Sequence, residues 1–217
     1  GLLLFGAGGV QQAGLETTTA GNAGFITSLY VVIVPILLAL FWKQHVRWTI
    51  WAAAGLATVG SLLLSTGGKF QLASGDLLEL IGAGLWALHL ILVGRAMKEL
   101  PVIKFSVGQY LVAGALNLVT SLLTSQSWAG LTAAWWTVIY IGLLSTAIGY
   151  TLQVFGQRTA PPADAAILLS TESVFAALTG FIFLSERLLE VQLIGCILIL
   201  GAIGLAQFRT NQAGDIA

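Results

Sequence analysis

The residue best placed to do chemistry is Glu172, which lies within a long apolar run over residues 162–184. Ten helical residues advance a chain by about 15 Å, so a membrane-spanning helix here would hold this carboxyl deep in the bilayer. A carboxylate at that depth is costly, and such residues usually face a cavity and mark a substrate or proton path. The alternative is a protonated or hydrogen-bonded glutamate that only ties helices together.

A second candidate set lies in another apolar run. Its members are spaced by three, four and three residues, and therefore share one helix face: Glu79, Gly82, Trp86 and His89. This face is expected to point at a cavity rather than at lipid, where His89 could approach Glu172; these two are the candidates for proton coupling. Alternatively, Trp86 packs in the core and His89 bonds a neighbouring carbonyl. Glu79 and Asp76 are predicted near the outer interface, with Asp76 as a helix cap.

Other polar residues inside apolar runs are less specific candidates. Each could contact a substrate or supply an interhelical hydrogen bond worth about 1 kcal/mol. They are Gln12, Tyr30, Gln109, Asn117, Tyr150 and Gln153.

The composition shows which elements must position these side chains. Hydrophobic residues make up 57% of the chain and charged residues 8%, against roughly 25% charged in soluble domains. Several runs reach the ~20 residues that cross a bilayer, and they are continuously apolar, which favours helices over a barrel. The sequence therefore predicts an all-α membrane protein, a polytopic bundle of about eight transmembrane helices. The runs cover residues 1–15, 20–42, 48–66, 77–94, 105–124, 135–156, 162–184 and 190–208.

Several classes of function are disfavoured by the same sequence. The net charge is zero, so nothing indicates a nucleic-acid partner. The single Cys196 excludes a disulfide framework and a cysteine metal site. The sequence contains no phosphate-binding loop, dinucleotide fingerprint or zinc-protease motif. We therefore predict a protein that is not an enzyme and that has no cofactor or metal.

The distribution of Lys and Arg predicts the orientation. With the amino terminus in the cytoplasm, two basic residues lie outside, Lys69 and Arg187. Seven lie inside: Lys43, Arg47, Arg95, Lys98, Lys104, Arg158 and Arg209. This bias predicts a multi-pass protein of the cell inner membrane with both termini of the chain in the cytoplasm.

A weak internal repeat appears when the chain is shifted by 141 residues. Gly8 then aligns with Gly149, and Gly60 with Gly201. The predicted units are residues 1–66, the last three helices of a first repeat; 75–208, a second repeat of five helices; and 209–217, a cytoplasmic tail. An odd number of helices per repeat inverts the copies. The first segment is short, and the first repeat has three helices where the second has five. Together these two observations predict that about two helices precede Gly1.

Several stretches resemble the drug/metabolite transporter superfamily, specifically its EamA-type ten-helix members. They are Gly75-Asp76-Leu77 with Gly84-Leu85-Trp86-Ala87, Gly142 to Ala147 with Gly149-Tyr150, Glu172 to Leu178 with Leu184 to Leu188, and Asn22 to Thr27 with Val34-Pro35. The chain would correspond to the third through tenth helices. Ser173 stands where many members have proline, which predicts a straighter ninth helix, whereas Pro35 predicts a kink in the fourth.

The resemblance implies a secondary transporter, an exporter or permease. It would move small polar or amphipathic metabolites or drugs across the membrane by alternating access around a midplane cavity. The substrate-binding candidates are Trp86, His89, Glu172, Tyr30, Tyr150, Gln153, Gln109 and Gln12. The expected partners are a small-molecule substrate and membrane lipid, with the protein a monomer or homodimer. The alternative is a non-transporting assembly or sensory subunit whose buried polar residues are structural.

Overall fold

A computed structural model describes residues 1–124, 130 and 132–208, and the regular secondary structure of these residues is helical. The predicted tail at 209–217 lies outside the described residues. The helices are α1 (Leu2–Leu15), α2 (Ala20–Ser28), α3 (Tyr30–Phe41), α4 (Trp48–Thr66), α5 (Asp76–Ala96), α6 (Val102–Leu123), α7 (Trp135–Ile139), a π-helical segment (Tyr140–Tyr150), α8 (Thr151–Gly156), α9 (Pro162–Leu169), α10 (Thr171–Phe183) and α11 (Glu190–Gln207).

These helices form a polytopic membrane bundle, which confirms the predicted fold class. Within the described residues, seven helical stretches are long and apolar enough to cross a membrane, counting α2 with α3, α7 through α8, and α9 with α10 as single spans. The shorter α1 is also apolar. Large apolar side chains such as Leu111, Phe175 and Ile197 cover the outer surface, as expected of a surface that meets acyl chains.

Two of the spans are interrupted by a single tightened turn. Leu29 separates α2 from α3 with φ −60° and ψ −14°, and Ser170 separates α9 from α10 with φ −62° and ψ −16°. At each point the amide bonds the carbonyl three residues earlier, Leu29 to Ile26 at 3.1 Å and Ser170 to Ile167 at 3.2 Å. Such a 3₁₀ step inside a helix often marks a functional hinge.

Proline does not explain these interruptions. The kink was predicted at Pro35, but Pro35 lies inside α3 and the interruption falls six residues earlier, at Leu29. The span that was predicted to be straighter, because it has Ser173 in place of proline, has the same interruption at Ser170. The step recurs 141 residues along the chain whether or not proline follows it, and the kink at Pro35 and the straighter ninth helix stay predictions.

The helices in most extensive contact are α4 and α11, and their backbones approach each other closely. A Cβ added at Gly60 would lie 2.8 Å from the Gly195 carbonyl oxygen, and one added at Gly195 would lie 2.6 Å from the Gly60 carbonyl oxygen. Small residues allow this backbone approach in membrane helices. Farther along α11, a Cβ added at Gly204 would have no heavy atom within 4 Å.

The basic residues gather at one end of the bundle. A cleft of about 490 Å³ there is lined by Arg95, Lys98 and Arg158. Arg47, which precedes α4, pairs with Asp164 in the first turn of α9 at 2.7 Å. This contact joins the two predicted repeats at the end that the charge distribution assigns to the cytoplasm.

Candidate functional site

A cavity of about 150 Å³ lies inside the bundle between the two interrupted spans. It combines polar and aromatic side chains from both predicted repeats. Its lining residues are Gln11, Thr27, Tyr30, Trp86, His89, Leu90, Tyr150, Gln153, Leu169 and Glu172. Both helix interruptions flank it, because Thr27 and Tyr30 lie on either side of Leu29, and Leu169 and Glu172 on either side of Ser170.

Trp86 forms the central wall of this cavity. Its indole stacks on the Tyr150 ring with centroids 5.9 Å apart and planes 21° apart. The His89 ring meets it edge-on at 5.8 Å. The indole N–H donates to the Gln11 Oε1 at 3.2 Å, which satisfies the one polar atom of the side chain. The Tyr150 ring therefore covers one face of the indole.

His89 lines the cavity and is fixed from behind by Gln109. The Nε2 of His89 lies 3.1 Å from the Gln109 Oε1. Because an amide oxygen only accepts, Nε2 carries the proton and Nδ1 has the free lone pair in the neutral ring. Nδ1 is buried without a partner. Gln109 is itself buried and lies outside the cavity lining, so its place is that of a positioning residue.

Glu172 lies at the rim of the cavity on the first turn of α10, and its side chain is exposed. Tyr30 faces the same cavity from the first turn of α3. Glu172 is therefore not enclosed by packed neighbours. An acidic group beside aromatic rings favours a positively charged ligand group.

The structure brings six of the eight predicted binding residues into one cavity: Trp86, His89, Glu172, Tyr30, Tyr150 and Gln153. Gln12 does not join them. It is exposed, whereas its neighbour Gln11 lines the cavity and bonds Trp86. One residue of α-helix rotates a side chain by about 100°, and the position of Gln12 within an apolar run does not fix this rotation. Asn117 donates to the Ala113 carbonyl of its own helix at 2.9 Å, a local role.

Sequence reasoning missed Gln11, Thr27, Leu90 and Leu169 as lining residues. It placed Glu79 near the outer interface and did not predict that this side chain, in the first turn of α5, is 0% exposed. Asp76 is not a simple helix cap: its carboxylate accepts from the Ala73 amide at 2.8 Å and from the Thr18 hydroxyl. Hydropathy gives the depth of a residue but not the direction of its side chain, which explains these differences.

Fold and site together define a membrane transport bundle with a polar cavity at its centre. The profile of the EamA-like transporter family matches residues 1–66 and 73–207, and the chain belongs to this family. A chain described as an uncharacterized transporter in Archaeoglobus fulgidus is 31% identical over 92% of this chain and 64% of its own length. The threonine/homoserine exporter RhtA of Escherichia coli is 29% identical over 78% of this chain and 56% of its own length.

A solved crystal structure shares the fold with a TM-score of 0.83 at 20% identity, covering 94% of this chain and 72% of the other. This likeness concerns the fold alone. The chain spans less than two thirds of the length of the Archaeoglobus and E. coli relatives. The family and these relatives are transporters, not enzymes.

Proposed function

We propose that the protein is a secondary carrier that exports small amino compounds with a free ammonium group, such as threonine, across the inner membrane. The observation that carries this proposal is the cavity itself, where the Glu172 carboxyl lies at the rim and Tyr30, Trp86 and Tyr150 supply aromatic faces. A carboxylate and aromatic faces are the groups that bind an ammonium ion. The E. coli relative is an exporter of threonine and homoserine, which supports this substrate class.

The size of the cavity favours metabolites over drug-sized compounds. At about 150 Å³ it is well below the 300–1,000 Å³ that is usual for drug-like ligands. The Gln153 and His89 side chains line the same space. They would supply hydrogen bonds to the remaining polar groups of a small zwitterion. The larger clefts lie at the helix ends among loop residues, away from the aromatic wall.

Alternating access would use the two interrupted spans. The 3₁₀ steps at Leu29 and Ser170 flank the cavity and have nearly the same backbone angles. In an inverted repeat these would be equivalent hinges, one in each copy. The units 1–66 and 75–208 would then rock about the site, with both chain termini in the cytoplasm. The gathering of Arg47, Arg95 and Lys98 at one end supports this orientation.

Export of radiolabelled threonine is the direct test. Cells that make the full-length protein should lose preloaded threonine faster than cells with the empty vector. Proton coupling through Glu172 and His89 predicts that a protonophore abolishes this excess efflux. Efflux that survives the protonophore would indicate exchange or facilitated diffusion, and no excess for threonine or other amino acids would refute the substrate class.

Accessibility of the cavity separates a carrier from a structural subunit. In a full-length protein with Cys196 replaced by serine, we expect a membrane-impermeant thiol reagent to label Leu169→Cys and Glu172→Cys. Saturating threonine should change the rate of labelling at Leu169→Cys from a given side, because it shifts the population of the two access states. Ala57→Cys is the matched control, since Ala57 is 1% exposed and lies in the packed core. Equal protection at all three positions would support a structural bundle instead.

A further inference from the structure

A second carboxyl lies outside the cavity lining, on the same helix face as Trp86. Glu79 is 0% exposed. Its Oε2 accepts from the Thr27 hydroxyl at 3.0 Å, and its Oε1 is buried without a hydrogen-bond partner. The space that holds it depends on Gly14, because a Cβ there would lie 2.6 Å from Oε1. A glycine on the facing helix therefore makes room for an acid in a packed site where an unpaired charge is costly.

The surroundings of Glu79 offer it no positive partner. The helices α1 and α2, which pack against this part of α5, contain no titratable side chain. Asp76 precedes it by one turn, with Glu16 and Lys69 in the neighbouring connections. Farther along the bundle are His89 and Arg95 on α5, Tyr30 on α3 and Asp164 on α9. Among the residues that the structure describes, the one ion pair is Arg47–Asp164.

A line of hydrogen bonds connects this carboxyl to the cavity wall. The Trp86 indole donates to the Gln11 Oε1 at 3.2 Å. The Gln11 Nε2 donates to the Thr27 Oγ1 at 3.1 Å, and the Thr27 hydroxyl donates to the Glu79 Oε2 at 3.0 Å. Three helices, α1, α2 and α5, are thereby joined through side chains.

The Thr27 hydroxyl gives this line two states. When Glu79 is ionised, the hydroxyl donates to it and accepts from Gln11. When a proton sits on the Glu79 Oε2, the acid becomes the donor, and the Thr27 hydroxyl must turn away while its oxygen accepts from both sides. Gln11 donates to this oxygen in both states, so the proton changes the strength and geometry of the Gln11 bonds and not their direction. Adding the proton uses one carboxylate lone pair and removes the negative charge, so no other reactant is needed.

We propose that Glu79 is a buried proton-binding site whose occupancy is transmitted to Trp86 through Thr27 and Gln11. The site would sense protons apart from Glu172, which lies exposed at the cavity rim. Its effect on transport rests on the proposed function, but the proton site and its connection to Trp86 do not.

Infrared difference spectroscopy of the full-length protein in lipid nanodiscs tests the site without any substrate. Stepping the pH should produce a carbonyl band of a protonated carboxylic acid. We expect Glu79→Gln to lose one component of the band, Glu79→Asp to keep that component at a shifted position, and Glu172→Gln to leave it unchanged. If folded Glu79→Gln keeps every component of the band, the proposal is overturned, as it is by a Glu79 component that responds to sodium at constant pH, which would indicate a sodium site.

The connection to the cavity needs a separate variant. Thr27→Val keeps the volume of the side chain but removes the hydroxyl between Glu79 and Gln11. It should keep the carbonyl band while abolishing the pH-dependent part of the Trp86 fluorescence, measured as the difference between each protein and its Trp86→Phe form. If Thr27→Val leaves that fluorescence change intact, the hydrogen-bonded line does not transmit the proton state. Both measurements stay interpretable even if the protein proves not to export threonine.

Discussion

Glu172→Gln should lower threonine export about tenfold or more while leaving the folded yield close to that of the parent. The substitution keeps the shape of the side chain and removes the charge that would bind the substrate ammonium. A hydrogen bond to a charged group is worth about 1.5–3 kcal/mol, or roughly a 10–100-fold change in affinity. Initial efflux rates over a range of internal threonine concentrations, scaled to protein in the membrane, give the measurement.

Glu16→Gln is the matched control for this experiment. Glu16 has the same side chain and is also exposed, but it lies in the connection after α1, outside the cavity. It should export threonine at the parent rate. If Glu172→Gln also matches the parent, the carboxyl at the cavity rim binds no substrate and the proposed recognition of an ammonium group fails.

Gly195→Ala should destabilise the protein by about 1–3 kcal/mol, the usual cost of overpacking a well-packed interface. The added methyl group would lie 2.6 Å from the Gly60 carbonyl oxygen and 2.7 Å from the Leu64 amide nitrogen. Both are backbone atoms, so α4 and α11 would have to separate. The melting temperature in detergent and the monodisperse yield should both fall.

Gly204→Ala, on the same helix, is expected not to destabilise the protein. An added Cβ there meets nothing within 4 Å, and alanine favours helix over glycine by up to about 1 kcal/mol. Its melting temperature should be unchanged or higher. Two alanine variants on one helix should therefore move stability in different directions. A Gly195→Ala protein as stable as Gly204→Ala would show that the α4–α11 contact tolerates separation.

The sequence predicts the helices well because crossing a bilayer requires long apolar runs. The predicted segment 48–66 coincides with α4, and 190–208 ends one residue beyond α11. The interruptions at Leu29 and Ser170 could not be predicted, since a 3₁₀ step in an apolar span needs neither glycine nor proline. Proline chemistry pointed instead to Pro35, which the helix accommodates.

The site could be predicted where the residue type indicated a polar role and the residue spacing indicated the helix face. The spacing of Trp86 and His89 correctly predicted that they share one helix face. Glu172 was predicted to line a cavity because a carboxylate inside an apolar run is costly to place in lipid. The rotation of α1 about its axis is set by packing against α5, so the choice between Gln11 and Gln12 needed coordinates. The burial of Glu79 depends on Gly14 in another helix, and no pattern within the Glu79 segment contains that information.

The 3₁₀ steps at Leu29 and Ser170 affect the relative free energies of the inward-open and outward-open states. If the copies bend at equivalent points, the inward-open and outward-open shapes are related by a pseudo-two-fold rotation, and bending by itself favours neither. The resting preference would then come from residues that differ between the copies at matched positions. Pro35 in α3 corresponds to Ala176 in α10 under the shift of 141 residues. Since proline stands at this position only in the first copy, this one pair would bias which side of the membrane the empty protein faces.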